Sequence, residues 1–523
     1  MGVDAEPSKA PPPSTVNIRF KVVPNGRVSR QRKFLVMKGL AHPNMNFTVF
    51  NHNLENMTKA ILERVIFLKT PEGFILPPRP IADQFKAIMT PFRKMMKRYA
   101  TLTPPMSTDA FIESYRGKRQ FKIYQQAAID NDLFGGVMRK HAHTSDFIKA
   151  EKTNKDRPRV IRPSHPRYNV VLGCYIKTLE HKIYEAINKT FGYTVVVKGM
   201  NATQRAELIK ESMDRFKDPV VIPADAKQFD QHVSRSALDY EFAIYRLFNN
   251  DPEFVRLLSW QINNVGSSRC DDGYIRYEVE GSRCSGVMNT SLGNIVIMCA
   301  LVYNYFSSLH LTTRDYTLID DGDDFILIME RPLEQSVRNQ MIPWFKTVGF
   351  TLVVGETADS IHKIEFCQSS PIYDGRVWTM VREPLHGIAK DSISLIHHTT
   401  AGTYRRHIAA VAICGLSIAG GIPVWDAFYR KLLSESDGAK PLFTDDMLYL
   451  RDHLLSGMNR SKMLISHDAR VSFYKAFRIP PPQQTYLEDA MTNSPIDTSI
   501  RLLTDFLNPE ITNAWVLQTQ GNP

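Results

Sequence analysis

Residues 319–328 combine two adjacent carboxylates with a glycine and an apolar run. Asp323 and Asp324 follow Gly322, and strand-forming residues continue over 325–329. Glycine tolerates the backbone of a tight turn and Asp is common in turns, so the pattern predicts a hairpin with two anions at its tip. These anions repel each other unless a cation joins them, and Mg²⁺ prefers such oxygen ligands. Acidic turns are also common in solvated loops, so the motif alone is a weak indication of a metal site.

A second pair of acids follows a predicted strand. The apolar run 219–224 precedes Asp225, and Asp230 comes five residues later. The end of a buried strand is a rigid support for Asp225, which would make a third carboxylate beside Asp323 and Asp324. Three carboxylates can hold two metal ions about 3.5–4 Å apart, an arrangement that activates an attacking hydroxyl and stabilises a leaving pyrophosphate. The alternative is that Asp230 caps the next helix and Asp225 is an ordinary loop acid.

A glycine-bearing loop within residues 281–294 leads into a helix. Thr290 and Asn294 stand four residues apart and share a face of that helix. If they face a carboxylate, these side chains can recognise a ribose hydroxyl and so distinguish ribonucleotides from deoxyribonucleotides. Alternatively, Ser285 or Asn289 caps the helix and Asn294 forms only local hydrogen bonds.

Residues 149–162 carry a run of Lys and Arg that alternates with Pro158, Val160 and Ile161. The alternation favours an extended, structured segment. Its cations could clamp the triphosphate of a nucleotide. A solvated basic face is the alternative interpretation.

The composition predicts a folded protein with more than one lobe and a polyanionic partner. The chain has 523 residues, more than a single core usually organises, and 43% of them are hydrophobic. Its 65 Lys and Arg against 54 Asp and Glu give a net charge of +11, which favours nucleic acid as a partner. The six cysteines are scattered without a C-x-x-C pair, so neither a disulfide framework nor a zinc ribbon is expected.

The order of predicted elements indicates an α+β fold with helices on one face of an antiparallel sheet. The elements are a strand at 219–224, a helix at 236–248, a helix at 289–306, a hairpin at 317–329, a helix at 333–348 and a strand at 350–354.

Three further segments bear on the domain organisation. Residues 408–425 are uncharged and approach the length of a membrane span, but their glycines and Pro423 favour a buried core helix that ends near Gly420. The first 15 and last dozen residues are expected to be tails, and residues 480–482 a rigid proline connector.

The ordered motifs resemble those of viral RNA-dependent RNA polymerases, in particular the tombusvirus-like group of tombusviruses, carmoviruses and their relatives. DAKQFD, GSRCSGVMNTSLGN and DGDD resemble motifs A, B and C. FIKAEKTNKDRPRVIRPSHPRYNVVLG resembles motif F, SYRGKRQFKIY motif G and IEFCQS motif E. The resemblance covers roughly residues 110–430.

The resemblance implies a right-hand polymerase fold of the α+β class, with an antiparallel palm sheet and helix-rich fingers and thumb. The expected divisions are a flexible N-terminal tail (1–15), an N-terminal extension with the fingertips (16–90), the fingers with motifs G and F (91–215), the palm with motifs A to E and a fingers insertion near 250–280 (216–380), the thumb (381–510) and a C-terminal tail (511–523).

The resemblance also implies roles for individual residues. The catalytic acids and ligands of Mg²⁺, for which Mn²⁺ could substitute, would be Asp225, Asp323 and Asp324. The nucleotide would be bound by Lys152, Arg159, Asp230, Ser285, Thr290 and Asn294. RNA would be bound by Arg116, Lys118, Arg119, Gly286, Phe366 and Cys367. The lysine that protonates pyrophosphate is less obvious, with Lys363 as the candidate and Lys346 as the alternative. Asp320 and Asp321 make the turn unusually acidic and receive no role.

The implied function is template-directed RNA synthesis from NTPs, for the replication and transcription of a positive-strand RNA virus genome. RNA template, RNA product and a membrane-anchored viral replication protein are the expected partners, because no transmembrane segment is expected in this chain. The expected location is the host cytoplasm, at membrane-associated replication complexes reached through that partner. A reverse transcriptase is one rival, but Asp230 with Asn294 would grip a hydroxyl that dNTPs lack. A catalytically silent RNA-binding scaffold is the other, against which the complete set of acids argues.

Overall fold

The structure is a computed structural model that describes residues 1–37, 47–117, 119–396, 398–444, 447–448 and 456–494. In these residues the strands, numbered β1 to β16 in chain order, are Phe20–Pro24, Leu35–Val36, Leu68–Thr70, Gly73–Ile75, Thr144–Ser145, Phe147–Ile148, Val160–Ile161, Pro219–Ala226, Asn263–Cys270, Gly273–Glu280, Tyr316–Asp320, Asp324–Glu330, Leu352–Val354, Ser369–Tyr373, Trp378–Arg382 and Ile393–Ser394. The helices, numbered α1 to α17, are Leu54–Ile61, Ala82–Ile88, Thr90–Tyr99, Thr108–Glu113, Arg119–Leu133, Pro166–Phe191, Ala202–Met213, Phe229–His232, Arg235–Phe248, Pro252–Ser259, Thr290–Ser308, Arg331–Thr347, Pro384–Asp391, Ala401–Ala419, Trp425–Glu435, His467–Phe477 and Pro481–Asn493.

Four antiparallel strands form the central sheet, in the order β11-β12-β8-β13. Residues 325–329 of β12 are all apolar and all buried. Alternate residues of a strand point to opposite faces, so both faces of this sheet are apolar and both must be covered. Helices α11 and α12 cover one face and α7 covers the other. The prediction of helices on one face only is therefore wrong.

Two apolar helices account for the segments that approach the length of a membrane span. Among the described residues, α11 is the one helix long and apolar enough to cross a membrane, and 78% of its apolar 18-residue stretch is buried inside the molecule. Such burial is typical of a core helix in a globular protein. Helix α14 ends at Ala419, Gly420 is its C-cap, and Ile408 is fully buried. The prediction of a buried helix that ends near Gly420 is confirmed.

The N-terminal residues pack against the segment that leads into α1. Val3 pairs with Phe50, and the buried Ala5 donates its backbone N–H to Asn56 Oδ1 at 2.7 Å. Residues 1–15 therefore do not form the predicted flexible tail, because their apolar groups and backbone find partners. Beyond them, β1 pairs with β10 in a second sheet of order β1-β10-β9-β5.

The C-terminal part of the described chain forms a separate apolar core. Helices α14 to α17 pack around the β14–β15 hairpin, and β16 pairs with β2 from the N-terminal region. Pro481 and Pro482 begin α17, so the predicted connector at 480–482 is wrong. Proline is well suited to the first turn of a helix, where its missing N–H costs no hydrogen bond. The predicted tail 511–523 lies outside the described residues.

Candidate active site

The tip of the β11–β12 hairpin carries Asp321, Gly322 and Asp323. Gly322 has a φ of +108°, a backbone conformation that residues with side chains rarely adopt, which explains the glycine in this turn. The Ala226 N–H donates to the Asp323 carbonyl at 3.2 Å, so the hairpin tip is tied to the end of β8.

Three acidic residues stand where these strands end. Asp324 lies opposite Asp225 in the pairing of β12 with β8, and Asp323 precedes Asp324 in the turn. Asp225 and Asp323 are exposed, whereas Asp324 is half-buried. The hydrogen-bonded backbone of the sheet thus supports all three acids, which fixes their positions more firmly than a free loop would.

The groups around these carboxylates do not fully offset their burial and mutual repulsion, because the pKa of each is raised. Burial, with the charges of Asp225 and Asp323, raises the pKa of Asp324 to about 6, although the Cys367 N–H, which donates to Asp324 Oδ2 at 2.9 Å, opposes the rise. The pKa of Asp225 is also raised, by partial burial and then by the charge of Asp323. The pKa of Asp323 is raised by partial burial. Each shift favours the protonated form, so bound cations would relieve the repulsion.

The donor set fits a divalent cation that is shared with a substrate. In the described part of the chain, no three His, Cys, Asp or Glu side chains are close enough to enclose an ion by themselves. Mg²⁺ commonly takes only one or two protein carboxylates and completes its shell with water and substrate phosphates. Asp225 and Asp324, with Asp323 beside them, supply carboxylates of that kind.

The two further acids before the glycine have separate environments. Asp320 is fully buried, and burial followed by the charge of Asp321 raises its pKa well above the ordinary value. The Cys299 thiol donates to Asp320 Oδ2 at 3.6 Å. Asp321 forms an ion pair with Arg205 of α7 at 2.8 Å. Both acids therefore serve the structure of the hairpin, and Arg205 is a partner that no local sequence pattern indicates.

Asp230 and Asn294 meet beside the hairpin tip. Asn294 Nδ2 donates to Asp230 Oδ1 at 3.1 Å. Burial raises the pKa of Asp230, and the hydrogen bond from Asn294 opposes that rise. A Cβ atom built on Gly322 would lie 3.6 Å from the Asn294 Cβ, which places this pair next to the acidic turn.

The hydroxyl groups of Ser285 and Thr290 have other partners. Ser285 Oγ accepts a hydrogen bond from the Arg162 N–H at 3.2 Å. Thr290 Oγ1 lies 2.8 Å from the carbonyl oxygens of Cys284 and Val287, to which it can donate. These hydroxyls hold the loop before α11 in shape, and of the predicted ribose-binding set only Asn294 hydrogen-bonds to Asp230.

Two cations of the basic segment act on the acids at the strand ends. The positive charge of Arg159 opposes the rise in the pKa of Asp323, and that of Lys155 opposes the rise in the pKa of Asp225. Lys155 belongs to the predicted basic run but was not singled out there. Lys152 is placed elsewhere, because its ammonium donates to the carbonyl oxygen of Lys390.

A tight turn at residues 366–369 approaches the hairpin tip from β14. Its two central residues have φ of +52° and +57°, as in a type I′ turn. The turn directs the Cys367 N–H to Asp324 and the Cys367 thiol to Asp321 Oδ2, at 3.6 Å. Phe366 is only 1% exposed, so its ring is not available to RNA. The predicted RNA contact of this segment would therefore involve Cys367 and the backbone.

The two candidate general acids are both surface lysines. Lys363 is exposed and pairs with Asp359 at 2.9 Å, and Lys346 is exposed at the end of α12. The leading causes of the pKa shifts of Asp225, Asp323 and Asp324 are burial and other neighbouring groups, and neither lysine is among them.

The remaining residues predicted to bind RNA lie in two other places. Arg116 pairs with Glu113 at 2.6 Å, and Arg119 begins α5. Gly286 pairs with Pro163 in the loop before α11. Lys118 lies outside the described residues.

The family model for viral RNA-dependent RNA polymerases matches residues 20–499. The chain belongs to this family, which implies the right-hand polymerase fold and agrees with the α+β structure.

Individual relatives are RNA-directed RNA polymerases of tombusvirus- and carmovirus-type plant viruses. The enzyme of tobacco necrosis virus (strain A) is 36% identical over 476 residues, which are 89% of this chain and 64% of the relative. That of turnip crinkle virus is 34% identical over 520 residues, or 96% of this chain and 64% of the relative. That of melon necrotic spot virus is 34% identical over 476 residues, or 89% and 59%. The chain thus spans less than two thirds of the length of these relatives.

Proposed function

We propose that this chain catalyses template-directed RNA synthesis, joining NTPs to the 3′-hydroxyl of a growing strand in the replication and transcription of a positive-strand RNA virus. The main support is the placement of Asp225 opposite Asp324 with Asp323 at the hairpin tip, as carboxylates whose pKa values remain raised although neighbouring groups partly offset their charge. The relatives, each named as an RNA-directed RNA polymerase, support the same conclusion.

In this proposal Asp225, Asp323 and Asp324 hold Mg²⁺, for which Mn²⁺ can substitute. When bound, the metal supplies positive charge for the attacking hydroxyl and the leaving pyrophosphate. Arg159 and Lys155 bind the nucleotide phosphates and orient the α-phosphate for in-line attack.

Asp230 and Asn294 select the sugar. An ionised Asp230 accepts a hydrogen bond from the ribose 2′-hydroxyl, and Asn294 can donate to the same oxygen. A site that must hydrogen-bond a hydroxyl discriminates strongly against an analogue that lacks it, because its polar groups are then left without partners. NTPs are therefore preferred to dNTPs.

The domain assignments and the wider setting are also proposals. The central sheet would be the palm, the region before it the fingers with the N-terminal extension, and the region after residue 380 the thumb. RNA would contact Arg116, Arg119, Gly286 and Cys367. The chain would act at membrane-associated replication complexes in the host cytoplasm through a membrane-anchored replication protein, as the family resemblance suggests. Flotation of the purified chain with lipid vesicles in the absence of that partner would contradict this recruitment.

The proposed activity is tested with purified chain, an unprimed RNA template and labelled NTPs in Mg²⁺. We expect template-length products from the wild type and none from Asp225→Asn. Asp489→Asn changes an exposed acid of α17, outside the site, and is the matched control, expected to keep wild-type activity. Template-dependent synthesis that persists in Asp225→Asn would overturn the proposal.

A further inference from the structure

A buried ion pair lies directly behind the Asp230–Asn294 pair. The Arg283 side chain is 2% exposed and that of Glu241 is 0% exposed, and two of their atom pairs lie 3.1 and 2.5 Å apart. Asn289 Nδ2 donates to Glu241 at 2.9 Å. Removal of two charges from water is costly, so a buried pair is in general weak evidence for a role in stability. Its hydrogen bonds to neighbouring groups indicate another role.

Arg283 determines which way the Asn294 amide faces. Arg283 Nε donates to Asn294 Oδ1 at 2.9 Å, and Asn294 Nδ2 donates to Asp230 Oδ1 at 3.1 Å. A guanidinium only donates and an ionised carboxylate only accepts. A flipped amide would therefore place donor against donor at Arg283 and acceptor against acceptor at Asp230. The amide has a single favourable orientation, with its NH₂ group toward the carboxylate.

Arg283 also holds the other member of the pair. Its backbone N–H donates to the Asp230 carbonyl at 2.7 Å, so one residue anchors both Asp230 and Asn294. The space for this arrangement depends on Gly293. A Cβ atom there would lie 2.4 Å from Glu241 Oε1 and 2.6 Å from Arg283 Nη2, closer than real Cβ contacts.

We propose that Arg283, held by Glu241, is a positioning residue for ribose selection, which it serves by fixing the Asn294 amide with its NH₂ group toward Asp230 and the sugar. Arg283 acts through Asn294 and does not touch the nucleotide. This inference rests on the proposed function and adds to it a specificity determinant outside the nucleotide contacts.

The test compares kcat/KM for an NTP and the matching 2′-dNTP in Arg283→Lys. Lysine keeps the positive charge beside Glu241 but lacks the planar fork that reaches both Glu241 and Asn294. We expect the preference for the NTP to fall roughly tenfold, as for loss of one such hydrogen bond. Asn294→Ala should give a comparable fall, and the double variant should show no further loss, because the two residues act as one unit.

Arg460→Lys provides a matched control. Arg460 is a buried arginine that pairs with the buried Asp374 at 2.7 Å in the C-terminal core. We expect this substitution to lower thermal stability to a similar degree and to leave the NTP preference unchanged. A purely structural role for Arg283 would make the two variants behave alike.

Equal loss of NTP and dNTP incorporation in Arg283→Lys, with an unchanged ratio, would overturn this inference and leave the proposed function intact. A wild-type chain that incorporates neither substrate would overturn the proposed function and, with it, this inference. If Arg283→Lys does not fold, Asn289→Ala loosens Glu241 more gently. We expect a smaller fall in the ratio from that variant, and an unchanged ratio there would also overturn the inference.

Discussion

Two hairpins of this molecule end in acidic, glycine-containing turns, and their carboxylates have opposite environments. The β9–β10 turn carries Asp271 and Asp272. The Leu54 N–H lies 3.1 Å from both carboxylate oxygens of Asp272, at the start of α1. Asp271 accepts from the Arg30 N–H at 3.2 Å and forms an ion pair with the Arg30 side chain at 3.3 Å. At the β11–β12 turn, by contrast, the surrounding protein partly removes the carboxylates of Asp323 and Asp324 from water, which raises the pKa of each.

The difference shows what separates a structural acidic turn from a candidate catalytic one. At β9–β10 each acid contacts a donor or cation of the protein. Among the described residues at β11–β12, only Asp321 forms an ion pair, with Arg205, and the hydrogen bond that Asp324 accepts from the Cys367 N–H does not cancel the rise in its pKa. Turn composition does not distinguish the two hairpins, whereas the partners of the carboxylates do.

The largest expected effect is on RNA synthesis, which should depend on an acid of the β11–β12 turn and not on one of the β9–β10 turn. Asp323→Asn removes a carboxylate that would hold the metal, so RNA synthesis should fall by about 10²–10³-fold, as for loss of one electrostatic contact to the reacting groups. Asp271→Asn should keep wild-type activity. Both are measured as NTP incorporation on the same RNA template. A similar loss from Asp271→Asn would remove the distinction between the turns.

The next effect concerns folding stability. Asp272→Ala removes the acceptor of the Leu54 N–H, so the free energy of unfolding should fall by about 1–2 kcal/mol, as for loss of a charged hydrogen bond. Urea unfolding followed by circular dichroism measures the change. RNA synthesis below the melting temperature should be unaffected. An unchanged unfolding free energy would show that this turn is as uncompensated as the other.

Asp324→Asn should raise the free energy of unfolding, whereas Asp272→Ala lowers it. Because the pKa of Asp324 is raised in the folded chain to about 6, from an ordinary 3.8, the folded chain binds this proton more tightly than the unfolded chain. The resulting destabilisation is absent below the ordinary pKa and complete above about pH 6. In a chelator, the substitution should therefore raise the unfolding free energy at pH 8 by about 1 kcal/mol after solvent screening. Unfolding curves at pH 8 and at pH 4 check this, with no gain expected at pH 4.

The smallest effect is stabilisation by metal alone. Without nucleotide, Mg²⁺ at a concentration equal to its Kd should raise the unfolding free energy by about 0.4 kcal/mol. Thermal melts of the wild type in Mg²⁺ and in chelator measure this, with Asp225→Asn expected to show no shift. If Mg²⁺ still shifts the melting temperature of Asp225→Asn but not that of Asp272→Ala, the cation binds at the β9–β10 turn and the proposed metal site is contradicted.

Local apolar patterns were sufficient to predict the main elements around the site. The predicted hairpin at 317–329 is observed as β11 and β12, and the predicted helix at 289–306 is α11, Thr290–Ser308. The strand predicted at 350–354 is shorter, at Leu352–Val354, because the Phe350 N–H donates to the carbonyl of Phe345 and closes the end of α12.

The partners of the site residues could not be predicted, because they come from distant parts of the chain. Arg205 reaches Asp321 across 116 positions, and Glu241 reaches Arg283 across 42. Neither pair has a spacing pattern, and each forms only once the helices pack against the sheet. The sequence likewise could not show that the Lys152 ammonium would donate to the carbonyl oxygen of Lys390. The basic run has the same residues whether Lys152 faces a nucleotide or Lys390.

The pairing of β8 with β12 makes activity a strict measure of correct folding. Asp225 and Asp324 face each other because of one particular alignment of two strands that are about a hundred positions apart in sequence. Successive side chains of a strand alternate between faces, so a slip of one residue would move a whole row of side chains to the wrong side. A sheet with shifted strands could keep its backbone hydrogen bonds, but Asp225 and Asp324 would no longer lie opposite each other. Such misfolded molecules are therefore expected to be inactive, and not to synthesise RNA with more errors.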